Sequence, residues 1–253
     1  YAFAAVKENG QVITWGSSTS GGDSSTVSSE LQSGVVSVYS NDYAFAAVKE
    51  NGQVITWGYL AYGGDSSAVS SELQSGVVSV YSNGAAFAAV KENGQVITWG
   101  YSSRGGDSST VSSELQSGVV SVYSNYYAFA AVKENGQVIT WGGSGYGGDS
   151  SSVSSELQSG VVSVYSSDYA FAAVKENGQV ITWGTSWAGG DSSAVSSELQ
   201  SGVVSVYSNS DAFAAVKENG QVITWGYSSR GGDSSTVSSE LQSGVVSVYS
   251  NYY

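Results

Sequence analysis

Val35-Val36-Ser37-Val38-Tyr39-Ser40, then Asn41-Asp42-Tyr43, then Ala44-Phe45-Ala46-Ala47-Val48-Lys49: two β-prone runs with three residues between them. So short a connection can only turn one strand back beside the other. Further along, Glu50-Asn51-Gly52 leads into Gln53-Val54-Ile55-Thr56-Trp57-Gly58. Asn-Gly between β-prone runs is a hairpin signal, because both residues tolerate positive φ. The three runs therefore read as an antiparallel meander, and the strand that opens it belongs to one copy of a repeat while the other two belong to the next.

The repeat is 42 residues long and is written six times, as 1–42, 43–84, 85–126, 127–168, 169–210 and 211–252, within 253 residues. A stack of such units is expected to behave as a single domain over 1–253. In the first copy the strands are expected at 2–7, 11–16 and 35–40. Between the second and third lies a loop at 17–22 ending in Gly21-Gly22, and then the segment 23–34. Asp23 can cap a helix start, Val27 and Leu31 fall on one helical face, and Gly34 suits a left-handed stop, so a short amphipathic helix is expected there. It would carry the chain from one sheet to the next. Since the sequence opens on the second strand of a meander and ends on the first, residues 245–250 are the spare strand. The expected fold is all-β with short helical links: a six-bladed β-propeller of three-stranded blades, closed by pairing 245–250 with the N-terminal strand.

Phe3-Ala-Ala-Val-Lys-Glu-Asn-Gly-Gln-Val-Ile-Thr-Trp-Gly16, the Gly-Gly that follows, and Ser33-Gly-Val-Val-Ser-Val38 together resemble the RCC1-type repeat. Its shortness and helix-like link are most similar to the subgroup of the bacterial β-lactamase inhibitor protein II. That resemblance implies a propeller with three-stranded blades and protein binding carried by loops. The family usually has His where Ala2 stands, and seven repeats are typical. Copies this uniform also fit a designed, symmetric protein.

Charge and composition narrow the function. Each repeat carries one Lys against three acids, Glu8, Asp23 and Glu30 in the first copy; Asp42, Asp168 and Asp211 outnumber Arg104 and Arg230, and the net charge is −13. Such a field repels phosphate backbones, so no nucleic acid partner is expected. No run approaches the ~18 apolar residues of a membrane span and no leader-like segment opens the sequence, so a soluble, monomeric chain with no membrane partner is expected. Cys and His are absent, which removes the usual metal ligands and nucleophile–base pairs. Neither a metal site nor a cofactor is expected, and no compartment can be read from Cys usage. Asp23-Ser24-Ser25 reads as a cap, the six Trp of the Thr-Trp-Gly runs as core, and Glu8 and Glu30 as solvated. No catalytic residue emerges, and the chain is expected not to be an enzyme.

What varies between copies is confined to positions 17–20, 26 and 41–43 of the repeat. Strand directions put the loops 17–20 and 41–43 on one face. Exposed positions such as Lys7 and Gln11 are invariant among the six copies, so drift does not explain the pattern. The variable set is rich in Tyr, Ser, Gly and Asn, with Trp and Arg, which is the composition of a paratope. Candidate ligand-binding residues are Tyr59, Tyr62, Tyr101, Arg104, Tyr126, Tyr127, Tyr146, Trp187, Tyr227, Arg230 and Tyr252. The expected function is a non-catalytic binding module for a protein or a glycan; the alternative is a symmetric scaffold with no native ligand. Repeats three and six carry the same loop set, Tyr-Ser-Ser-Arg with Asn-Tyr-Tyr, and are expected to form matching patches.

Overall fold

The computed structural model describes residues 1–251 and divides into two compact units, Tyr1–Tyr127 and Ala128–Tyr253. In the first lie β1 (Ala2–Val6), β2 (Val12–Gly16), β3 (Val35–Ser40), β4 (Ala44–Lys49), β5 (Val54–Gly58), β6 (Val77–Ser82), β7 (Ala86–Lys91), β8 (Val96–Gly100) and β9 (Val119–Ser124). In the second lie β10 (Ala128–Lys133), β11 (Val138–Gly142), β12 (Val161–Ser166), β13 (Ala170–Lys175), β14 (Val180–Gly184), β15 (Val203–Ser208), β16 (Ala212–Lys217) and β17 (Val222–Gly226). Among the described residues they form six antiparallel sheets, five of three strands and one of two. The meander order is as expected: β3-β4-β5 and β6-β7-β8 in the first unit, β12-β13-β14 and β15-β16-β17 in the second. This is the blade of a β-propeller.

Strand β4 shows why the repeat stacks. Its sequence does not alternate apolar with polar, because both of its faces are covered. Phe45 and Ala47 join Ile55 and Trp57 against Val12, Leu31 and Val35 of the preceding repeat. Ala44, Ala46 and Val48 face the other way and receive Phe87, Ile97 and Trp99 of the following one. Each sheet thus has an aromatic face and an alanine face, and small residues on one side make room for large ones arriving from the next repeat. In the second unit, Ala170 and Ala172 receive Phe213 and Trp225 in the same way.

Two local expectations give way. Segment 23–34 is not an α-helix: it holds a 3₁₀ turn at Ser25–Val27, and the third repeat adds one at Glu114–Gln116. Serine-rich sequence nucleates helix poorly, and the Leu31 carbonyl is engaged elsewhere, accepting from the Val12 amide at 2.9 Å. Asp23 accepts from the Ser25 amide at 2.9 Å as an Asx turn. Nor does Asn9 take positive φ; among the described residues only glycines do. Residues 7–11 form the connection, with Gly10 at φ 74° and the Asn9 side chain accepting from the Gln11 amide at 3.1 Å. A Cβ on Gly10 would lie 2.5 Å from the Gly34 nitrogen, so the close approach of 34–35 also demands glycine.

Among the described residues no ladder of strand hydrogen bonds joins 245–250 to the N-terminal strand. Among those residues β1 pairs with β2 alone, and residues 245–250 carry no strand, with Val246 and Tyr249 about 92% and 90% exposed.

The Asx turns make stability pH-dependent. The Ser67 amide and then the Ser67 side chain, both bonding the Asp65 carboxylate, hold it below the ordinary carboxylate value, and Asp107, Asp149 and Asp191 are lowered by the same pair of bonds. A depressed folded value stabilises fully above the unfolded pKa of about 3.9 and is lost as pH falls through the folded one. Melting temperature should therefore drop below about pH 4. Asp65→Asn, which keeps the acceptor and loses the proton equilibrium, should make that drop shallower; an unchanged acid limb would remove the Asx carboxylates from its cause.

Candidate binding surface

The two variable loops meet because one invariant contact ties them. Asn41 opens the 41–43 loop, and its side-chain amide donates to the Tyr62 carbonyl at 2.6 Å, the last residue of the next repeat's 17–20-type loop. Asn83 does the same to Arg104, Asn209 to Arg230, and Ser167, through its hydroxyl, to Ala188. The Asn41 side-chain oxygen meanwhile accepts from the amides of Tyr43 and Ala44. Each of these four 41–43-type loops therefore lies against the 17–20-type loop of the following repeat, and the composite of the two is the variable surface.

In the first unit this surface is aromatic. Tyr62 stacks on Tyr43 at 4.7 Å and on Tyr59 at 5.1 Å, and Tyr101 lies 5.4 Å from Tyr62. Tyr59, Leu60 and Tyr101 are exposed. Beside them, the Arg104 guanidinium sits over the rings of Tyr126 and Tyr127, at 5.1 and 4.6 Å from their centroids. Such cation–π contacts hold a flexible Arg in place while leaving its edge free to bond a ligand. The Tyr126 hydroxyl donates to Asp42. That bond, ahead of burial, pushes the Tyr126 phenol up to about 12, so it stays a protonated donor through the neutral range.

The second unit carries another cluster. Trp187, exposed, lies 5.2 Å from Tyr169 and 5.8 Å edge-on to Tyr227, and Tyr146 is 6.1 Å from Tyr169. Arg230 packs over the Tyr227 ring at 5.5 Å and donates to Asp211, which is 1% exposed. Burial, and then the negative charge of Asp211, raise the Asp168 carboxyl above its usual value.

Ten of the eleven candidate residues thus fall into these clusters, and Tyr252 lies outside the described residues. Tyr43, Tyr169, Asp42 and Asp211 also belong to the surface; all four sit in the variable 41–43 slot, which was the available signal. The matching Tyr-Ser-Ser-Arg loops do not have matching surroundings. Arg230 meets Asp211 of the preceding repeat's loop, where the equivalent residue before Arg104 is Ala85, and Arg104 turns to the tyrosines instead.

The core assignment of the tryptophans holds for five of six. Trp57, Trp99, Trp141, Trp183 and Trp225 are buried, and the Trp57 indole donates to the Gly21 carbonyl of the preceding repeat at 2.9 Å. Trp15 is 51% exposed. The invariance of the lysines is structural too: Lys49 donates to the Glu30 carbonyl at 3.0 Å, and Lys91 to that of Glu72 at 2.9 Å. Among the described residues, no group of three or more acids is placed to hold a metal, and no helix is long and apolar enough to cross a membrane.

No family model matches the sequence, and no curated protein matches it. Among solved structures, the chain is similar to Prp20p from Saccharomyces cerevisiae, with TM-score 0.49 and 14% identity over 89% of this chain and 69% of that one. It is similar also to the CRINKLY WD40 ectodomain of the Arabidopsis thaliana receptor kinase ACR4, with TM-score 0.48 and 13% identity over 89% and 77%. For the computationally designed Ika8 protein the values are 0.40, 13%, 88% and 67%.

Proposed function

We propose that the chain is a non-catalytic binding module whose composite loops, 17–20 of one repeat against 41–43 of the one before, hold a protein or a glycan. The observation that carries this reading is the joining of the two variable loops through Asn41, Asn83, Ser167 and Asn209. Apart from position 26, what differs between copies is thereby gathered beside something else that differs, while the supporting contact recurs through Asn or Ser. Tyr59, Tyr62 and Tyr101, Arg104 with Tyr126 and Tyr127, and Trp187 with Tyr146, Tyr227 and Arg230 supply rigid aromatic area and directed charge. Flat tyrosine faces suit sugar rings, and Arg beside Tyr suits a protein hot spot. The sequence resemblance to the β-lactamase inhibitor protein II subgroup points to the same loop-borne mode.

The uniformity of the copies favours a second reading, a symmetric scaffold without a native ligand. One experiment separates them: the chain and a variant with all loops made Ser-Ser-Thr-Ser and Asn-Ser-Ala are screened together on glycan and protein arrays. Retaining Asn keeps the loop anchor. Binding by the parent that the variant loses supports the module; silence from both, with both folded, supports the scaffold.

A further inference from the structure

The two ends of the repeat array each leave half of an inter-repeat contact unfilled. At the N-terminal end it is an aromatic face: Phe3 and Trp15, stacked at 5.3 Å, are 64% and 51% exposed, with Ile13 exposed beside them. At the C-terminal end it is an alanine face. A groove of about 750 Å³ runs along the last sheet, lined by Ala212, Ala214, Val222, Leu241, Val248 and Tyr249. Leu31, Leu73, Leu115, Leu157 and Leu199 are each sealed at this position of the repeat, whereas Leu241 is half-buried. At Gly21, Gly63, Gly147 and Gly189 an added Cβ would strike the following repeat's Phe; at Gly231 it meets only Asn209, at 3.7 Å.

The groove is already shaped for a strand. Gly244 and Val245 donate to the carbonyls of Asn219 and Gly220 just as Gly202 and Val203 donate to those of Asn177 and Gly178. The Ser250 hydroxyl bonds the Ser208 carbonyl as Ser208 bonds Ser166. Residues 245–250 therefore stand where a blade's first strand stands, with the outer edge unpaired.

We propose that this groove takes the β1–β2 hairpin of a second copy of the chain, head to tail. What fills the place elsewhere is known from the interior repeats, and β1–β2 has that sequence and an exposed aromatic face in Phe3 and Trp15. Docking adds β1 to 245–250 in the interior register, in which Tyr39 faces Ala46 and Ser40 faces Phe45; by translation Tyr249 faces Ala4 and Ser250 faces Phe3. The visiting Trp15 indole then donates to the Gly231 carbonyl, as Trp225 does to Gly189, and Lys7 to that of Glu240, as Lys217 does to Glu198. The contact is strand addition with a preformed aromatic anchor, and being heterologous it leads to closed or open assemblies.

Because the chain has no Cys, disulfide trapping is free of background. Full-length Ala4→Cys and Tyr249→Cys variants, mixed and oxidised, should give a covalent dimer, and Phe3→Ser/Trp15→Ser added to the Ala4→Cys chain should cut its yield at least about tenfold. The Ala4→Cys/Tyr249→Cys double variant should give linked dimers and larger species. A double variant trapped only as an internally linked monomer would mean that the chain fills its own groove and would overturn the proposal. So would a mixture yielding no dimer although each variant shows the native circular dichroism, or a yield indifferent to the loss of Phe3 and Trp15.

Discussion

Trp57→Ala should lower stability by about 3–5 kcal/mol, while Trp15→Ala, the same change at the same place in the repeat, should cost less than about 1 kcal/mol. Trp57 is 2% exposed, lies on Phe45 at 5.2 Å, and gives its indole hydrogen to the Gly21 carbonyl. Alanine leaves a cavity between two repeats and a carbonyl without its donor, and the loss spreads because neighbouring repeats stabilise one another. Trp15 has the Phe3 stack but half its surface in water. Urea unfolding at equal, dilute protein concentration checks both, dilution keeping association from covering Trp15. Equal losses at the two positions would contradict the directional stacking of aromatic on alanine faces.

The strands were legible because their signals are local. Val35–Ser40 and Ala44–Lys49 are β-prone, and the three residues between them leave one topology. The core tryptophans were legible for the same reason, through the company of Ile and Val in one strand. The link 23–34 was not, since Val27 and Leu31 at helical spacing would suit a helix, whereas the serine-rich sequence nucleates one poorly and the Leu31 carbonyl is bound to the Val12 amide of a strand outside the segment. Asn9 was misread on backbone propensity because its side chain found the Gln11 amide.

For the surface, comparison between copies picked out the loops that vary and left their partners unread. Arg104 and Arg230 stand in identical tetrapeptides, yet one lies on Tyr126 and Tyr127 and the other reaches Asp211. The difference arises 19 residues upstream, in the loop that the preceding repeat lays alongside. A composite site is read from pairs of loops, and the pairing is a property of the stack.

Gly189→Ala should cost about 2–5 kcal/mol and Gly231→Ala only about 1–2 kcal/mol. Both glycines have φ 98°, so both substitutions bear the strain of a left-handed alanine, about 1–2 kcal/mol. They differ in what the new methyl meets. At Gly189 it would lie 2.4 Å from Cδ2 of Phe213, a ring that is fully buried and stacked on Trp225 at 5.3 Å, and whose partner indole bonds the Gly189 carbonyl. Neither ring can withdraw without opening the inter-repeat core, which adds about 1–3 kcal/mol of overpacking. At Gly231 the methyl has room. Equilibrium unfolding of the two variants in dilute solution measures the difference, and similar losses would mean that backbone strain alone made glycine necessary. The same methyl at Gly231 has a second consequence, because it would occupy the space into which the second copy brings Phe3. Gly231→Ala, the milder of the two changes in the dilute chain, should therefore weaken head-to-tail trapping, whereas Gly244→Ala, at φ 78° with open space around it, should weaken it less.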